Sequence, residues 1–238
     1  MKTKHITFPL LFGKLAVALT ALAVTVFTAS CNDEDLTDAG RSYLQLSVTT
    51  DTPVLSRAIV NDKYLPDKAD IGVTLTATDG SAYDGMDFIN LKYTASGWGD
   101  AQTWSSETPA SLSTTTGKVV AYYPHNPDIT TVAGLAAIPI ETASQTDYMY
   151  AKPVTGINFT SAQTGITMQH ALTNIRINLK KGTYTGPGNV GKVSVKSPGF
   201  ATNATMHAET GALAGVTGSG AEYIQEFTDL TLSESGYN

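Results

Sequence analysis

Between residues 71 and 78 the chain alternates strictly: Ile71, Val73, Leu75 and Ala77 are apolar, while Gly72, Thr74, Thr76 and Thr78 between them are small or polar. Successive side chains of a strand point to opposite faces, so this pattern predicts a strand with one buried face, ended by the turn residues Asp79 and Gly80. Leu44, Leu46 and Val48 alternate with Gln45 and Ser47 in the same way, and Asp51, Thr52 and Pro53 close that segment. Further strands are expected over 89–94, 118–123 and 147–151, around Val193 and Val195, and over 223–232, with loops of Gly, Ser, Thr and Pro between them. Charged residues make up 15% of the chain, below the roughly 25% of an average globular protein. Abundant Thr, with Gly 21 and Tyr 11, suits pleated, half-exposed surfaces better than helices. The expected fold class is all-β.

Ile166, Met168 and His170 share one parity, whereas Ile175, Ile177 and Leu179 share the other. A strand has a period of two, so the phase change requires a bulge or an irregular link at 171–174. The stretch 184–189, Tyr-Thr-Gly-Pro-Gly-Asn, is the expected domain boundary. Residues 43–184 then form an N-terminal β-sandwich. Residues 185–238, with a Gly-rich meander over 199–220, form the start of a second β domain. About fifty residues are fewer than a free-standing sandwich uses, so this unit is expected to be incomplete, its remaining strands lying beyond Asn238 or coming from elsewhere.

The first thirty residues carry Lys2, Lys4 and Lys14, then an uncharged run, then Thr28, Ala29 and Ser30 before Cys31. A charged start, a short apolar stretch and small residues before a cut site read as an export signal. Cys31 is the only cysteine, so no internal disulfide can form. Its position resembles the lipobox of bacterial lipoproteins, although Thr28 stands where a branched aliphatic residue is usual. Lipidation at Cys31 would anchor the chain to a membrane without a spanning helix. Asn32, Asp33, Glu34 and Asp35 follow, so 31–42 reads as an acidic, solvated tether. Acidic residues in that place resemble the surface-export signal of lipoproteins from anaerobic Gram-negative gut bacteria. Outer-membrane, surface-exposed localisation is the expectation.

Without residues 1–30 the chain has 208 residues with 12 basic against 21 acidic side chains, a net charge near −9. No basic patch is visible, which argues against nucleic acid as a partner. Three histidines remain, His125, His170 and His207, widely separated and without metal-ligand spacing. No nucleophile elbow frames a serine. His170 is expected to be a satisfied core histidine, and Asp128 and Asp147 to be solvated loop carboxylates. No catalytic residue, metal site or cofactor is expected, and the chain reads as a non-enzyme.

Several short motifs together resemble the fimbrillin family, the lipoprotein pilins and pilus-tip or anchor subunits sometimes called type V pilins. They are the lipobox with its acidic follow-on, Ser56-Arg57-Ala58, Asp70-Ile71-Gly72-Val73, Trp104, Val120-Ala121-Tyr122-Tyr123-Pro124, Asp147-Tyr148-Met149-Tyr150-Ala151, and the run 168–177 from Met168 through Ile177. Their order and spacing span residues 31–181. The resemblance implies transthyretin-like β-sandwich domains, a structural and adhesive role, and other pilus subunits as partners through β-strand addition. In such pilins a protease removes the first strand after a basic residue, and a neighbour's strand fills the groove. An unpaired sheet edge supplies the backbone groups for that exchange.

Three arginines are present, Arg41, Arg57 and Arg176. Arg176 falls in an expected strand, which leaves Arg57 and Arg41 as processing candidates. A cut at Arg57 would release Cys31 together with the 44–48 strand, whereas an uncut chain would keep its lipid, as anchor or tip subunits do.

Trp98, between Gly97 and Gly99, is the expected exposed aromatic and a candidate ligand contact able to stack on a glycan. Trp104 matches a family position that reads as core, and of Tyr122 and Tyr123 one ring is expected inside and the next half-exposed. The adhesion target would be a host or bacterial surface glycan or protein. The alternative reading is a non-polymerising glycan-binding surface lipoprotein of a polysaccharide-uptake system.

Overall fold

The alternation at 71–78 does become a strand, but one buried on both faces. The computed structural model describes residues 42–51, 63–144, 146–173, 175 and 177–232, all within one unit, Gly40–Asn238. Its first strands are β1 (Ser42–Tyr43), β2 (Gln45–Thr50), β3 (Asp70–Ala77), β4 (Phe88–Ser96), β5 (Thr103–Ser105), β6 (Ser111–Leu112) and β7 (Gly117–Tyr123). They are followed by β8 (Ile138–Glu141), β9 (Met149–Ala151), β10 (Val154–Ile157) and β11 (Gln163–His170). The last four are β12 (Asn189–Lys196), β13 (Asn203–Met206), β14 (Leu213–Thr217) and β15 (Glu222–Thr231). Two 3-10 turns, Gly99–Ala101 and Val132–Ala136, are the helical elements among the described residues. The fold is all-β and of β-sandwich type, as the composition implied.

The main sheet runs β2-β11-β9-β7-β3-β4-β5, with β10 beside β7. All its pairs are antiparallel except β2 with β11, which run parallel from Gln45 opposite Gln163 to Thr50 opposite Met168. β9 and β10 flank successive halves of β7, and Lys152 and Pro153 separate them. Pro153 has no amide to give to a ladder, which fits an interruption there.

The sheet curls until β2 comes up against β5, so it has an inside and an outside. Directly opposed residues share a face, and Val73 and Leu75 oppose Ala121 and Val119. These four point inward with Ile71, Val48, Trp104, Met149, Ile166 and Met168 into one apolar core. Thr74 and Gly72 oppose Val120 and Tyr122 and point outward into a second core, closed by Ile129, Leu135, Ile138, Ile140 and Met206. The polar parity of β3 is therefore buried as well. Thr74 is accommodated because its hydroxyl accepts a hydrogen bond from the Asn90 amide at 2.9 Å.

Gly72 is required by that second layer. A Cβ at residue 72 would fall inside van der Waals contact of Asn90 Oδ1 and of the Tyr122 ring. Tyr122 donates to Asn90 Oδ1 at 2.7 Å, and Asn90 Nδ2 donates to the carbonyls of Asn126 and Ile129. Asn90 holds this position from a left-handed backbone conformation, φ 52°, which asparagine tolerates better than most residues.

Residues after the expected boundary at 185 divide into two sets. β13 pairs with β8, Met206 opposite Ile138, and with β14. Met206 and Ala208 are fully buried in the second core, Ala208 N donates to Leu135 O, and Lys118 Nζ meets Glu209 Oε1 at 2.9 Å. β12 and β15 form a separate two-stranded ribbon, and no residue of β12 is fully buried.

One sequence expectation changes here. β11 ends at His170 and an irregular link follows, but beyond it Ile175 and Ile177 are exposed and belong to no described strand, so the strand expected over 175–179 is not formed by the described residues. Arg176, read as lying in that strand, is outside the described residues. The Gly-rich meander expected at 199–220 contains two strands, β13 and β14.

Candidate interaction site

The N-terminal segment 42–50 is a stave of the curled sheet. β1 pairs with β6, Tyr43 opposite Ser111, and the Leu44 amide donates to the Ala110 carbonyl at 2.9 Å. β2 then crosses to β11, where Gln45 N donates to Ala162 O and Asp51 N to Met168 O. Leu44 and Val48 are buried in the inner core, with Leu46 packed against it. The alternation puts these apolar residues inward and Gln45 and Ser47 outward. Residues 42–50 thus fill the gap between β5–β6 on one side and β11 on the other. Burying two such aliphatic side chains contributes about 1.5–3 kcal/mol each.

Thr50 N donates to the Lys63 carbonyl at 2.8 Å, so the end of β2 and the re-entry of the chain at residue 63 lie side by side. Arg57 falls within 52–62, between these two points, and lies outside the described residues, as do Arg41 and Cys31.

Lys63 Nζ reaches Asp100, in the connection that also carries Trp98. Trp98 stands at the tip of the β4–β5 connection between Gly97 and Gly99, whose φ angles of 82° and 69° a side-chain-bearing residue adopts at a cost. The indole is 53% exposed. The loop beneath it is tied down: Gly97 N donates to Asp67 Oδ1 at 2.9 Å, and Gln102 Nε2 donates to the carbonyls of Leu65 at 2.7 Å and Gly97 at 3.3 Å. Tyr64 donates its hydroxyl to Asp100 Oδ1, and Lys63 Nζ lies 3.7 Å from the same oxygen. The Tyr64 hydrogen bond first, then the Lys63 charge, hold the Asp100 carboxyl below the usual carboxylate range. Trp104, two residues into the next strand, is 9% exposed and packs in the inner core, as expected.

The titratable groups elsewhere make separate, local contacts. His125 Nε2 faces the Asn90 carbonyl at 3.3 Å, and His207 Nδ1 accepts from the Glu209 amide at 3.2 Å. His170 Nδ1 meets Asp147 Oδ1 at 2.9 Å. Asp147 is therefore not the solvated loop carboxylate the sequence suggested, and His170 is satisfied at one ring nitrogen only, since Nε2 has no partner. The pairing depends on the β9–β11 register, which sets Met149 opposite His170, and no local sequence signal carries it. Among the described residues no group of three or more His, Cys, Asp or Glu could hold a metal ion.

These side chains stand on a curled, all-β sheet with a buried N-terminal stave. A model of the fimbrillin-like family matches residues 56–238, and the chain belongs to that family. Two solved structures share the fold. A Bacteroides uniformis protein provisionally described as a cell adhesion protein is 22% identical, covering 80% of this chain and 72% of its own, with a TM-score of 0.59. A Bacteroides ovatus protein with the same description is 20% identical, covering 77% of this chain and 72% of its own, with a TM-score of 0.55. No curated protein matches the chain.

Proposed function

We propose that this protein is a surface lipoprotein of fimbrillin type, a pilus shaft subunit or an accessory tip or anchor subunit, that works in adhesion and assembles by strand exchange. Family membership supports the fimbrial and adhesive role. In this reading Cys31 carries the lipid of the precursor, Asn32 to Asp35 open its tether, and the precursor stands on the outer face of the outer membrane before any cut. Residues 43–184 act as the N-terminal domain, and 185–238 belong to a second one joined to it through β13.

The observation that carries the exchange mechanism is the placement of β2. It is a terminal strand of the sheet, it supplies Leu44 and Val48 to the inner core, and its covalent link to the rest of the domain runs through the segment that holds Arg57. A cut after Arg57 would leave β1 and β2 held by backbone hydrogen bonds and apolar burial alone. Their departure would open a groove lined by β11 on one side and Ala110 to Leu112 on the other. An incoming strand with alternate apolar residues restores both the ladder and the core. Arg41 is the second candidate, and a cut there leaves β1 and β2 in place.

Electrophoresis after graded heating in detergent tests the assembly. Strand-exchanged polymers give a ladder that collapses to one band only at high temperature, whereas a single band at every temperature refutes polymerisation.

A further inference from the structure

We propose that the Trp98 loop is a carbohydrate-binding platform whose ligand is a neutral hexopyranose, the indole stacking on the apolar face of the sugar ring while Asp100 and Lys63 take its hydroxyls. This deepens the adhesive reading by giving it a ligand class, and it does not require polymerisation.

Trp98 belongs to neither apolar core. Two tryptophans are present, and they are treated oppositely: Trp104 closes the inner core, while Trp98 is carried outward on a turn whose flanking glycines have positive φ. The turn is not loose. Three hydrogen bonds tie it to the 64–67 segment, through Tyr64, Leu65 and Asp67, and a fourth, from Gln102 to the Gly97 carbonyl, closes the loop on itself. A fixed turn that keeps a large aromatic ring in water presents a preorganised surface, and preorganisation lowers the entropy a ligand must overcome on binding.

The surroundings select the ligand. Asp100 and Lys63 are well exposed, their side chains 92% and 60% accessible. Among the described residues the contacts to Asp100 fall on Oδ1, which leaves Oδ2 as an acceptor, and the Lys63 ammonium, 3.7 Å from Oδ1 and over the Tyr64 ring at 5.4 Å, has three N–H donors. An apolar protein surface laid over Trp98 would strip water from these two charges without replacing it. A pyranose has an apolar C–H face the size of one indole and a rim of hydroxyls that donate to a carboxylate and accept from an ammonium. Aromatic faces with one wet edge are the usual meeting place of such mixed surfaces.

The test uses the full chain, labelled with nitrogen-15, so that the two indole N–H groups give two signals assigned by Trp98→Phe. Lactose, chitotriose and mannotriose are titrated separately to tens of millimolar. At least one of them is expected to shift the Trp98 signal saturably, leave the Trp104 signal in place, and lose its effect in Trp98→Ala, with the effect weakened in Asp100→Asn. Thermal unfolding of Trp98→Ala is expected to match the parent chain, since the ring supports no core. The proposal is overturned if none of the three sugars moves the Trp98 signal, or if the response survives in Trp98→Ala. A lost detergent ladder with an intact sugar response would refute assembly alone.

Discussion

His170 Nδ1 lies 2.9 Å from Asp147 Oδ1, with the two side chains 13% and 8% exposed. A carboxylate can only accept, so the proton of this bond sits on Nδ1. Asp147 Oδ2 and His170 Nε2 are buried without partners, and the pair therefore gains little beyond cancelling its own burial cost. Replacing His170 with Leu strands a buried carboxylate and is expected to lower stability by about 1–3 kcal/mol. Replacing both His170 and Asp147 with Leu is expected to recover most of that loss. Chemical denaturation of the two single variants and the double variant checks this; equal losses in single and double variants would contradict it.

Gly72 and Gly165 both sit in strands of the main sheet, yet only one has a crowded Cβ direction. Gly72→Ala drives a methyl group into Asn90 and the Tyr122 ring and is expected to cost about 1–3 kcal/mol. Gly165 has nothing within 4 Å of an added Cβ, so Gly165→Ala is expected to be neutral or slightly stabilising. Melting temperatures of the two variants separate these outcomes.

Met206 is fully buried against residues of β7 and β8. Met206→Ala is expected to cost about 2–5 kcal/mol and to lower the single cooperative transition of the whole unit. A variant in which 43–184 melts unchanged while 185–238 melts earlier would show that β13 is not part of the first domain's core.

Burial is the largest cause holding the phenols of Tyr93, Tyr122 and Tyr123 above the ordinary tyrosine value. A folded-state pKa above the unfolded one means that this stability is complete below about pH 10, and declines as pH rises from there through the folded values. Phenolate absorbance is expected to show these three rings ionising late and together with unfolding. Their ionisation near pH 10 in a still-folded protein would contradict the burial.

The long strands were legible because two-residue alternation over six or more positions has one good interpretation. β3 and β11 follow it closely, β7 is instead a continuous apolar run from Val119 to Tyr123, and the glycines flanking Trp98 announced its exposure. Other features left little trace. The outward parity of β3 is Gly and Thr, so its burial under Val132–Ala136, β8 and β13 could not be read from polarity. β5 and β6 are too short to show a period, Pro139 interrupts β8, and the glycines around β13 and β14 mask theirs. The parallel pairing of β2 with β11 joins residues more than a hundred positions apart, and sequence alternation fixes the face of a strand but not its neighbour. The same limit hid the pairing of Asp147 with His170.

The central claim is that 42–50 is a removable stave released by a cut after Arg57. Intact-mass and N-terminal determination of the protein extracted from the cell surface tests it directly. The account predicts a polypeptide beginning at Ala58 in the assembled material. A mature chain beginning at acylated Cys31 in that same material would contradict it.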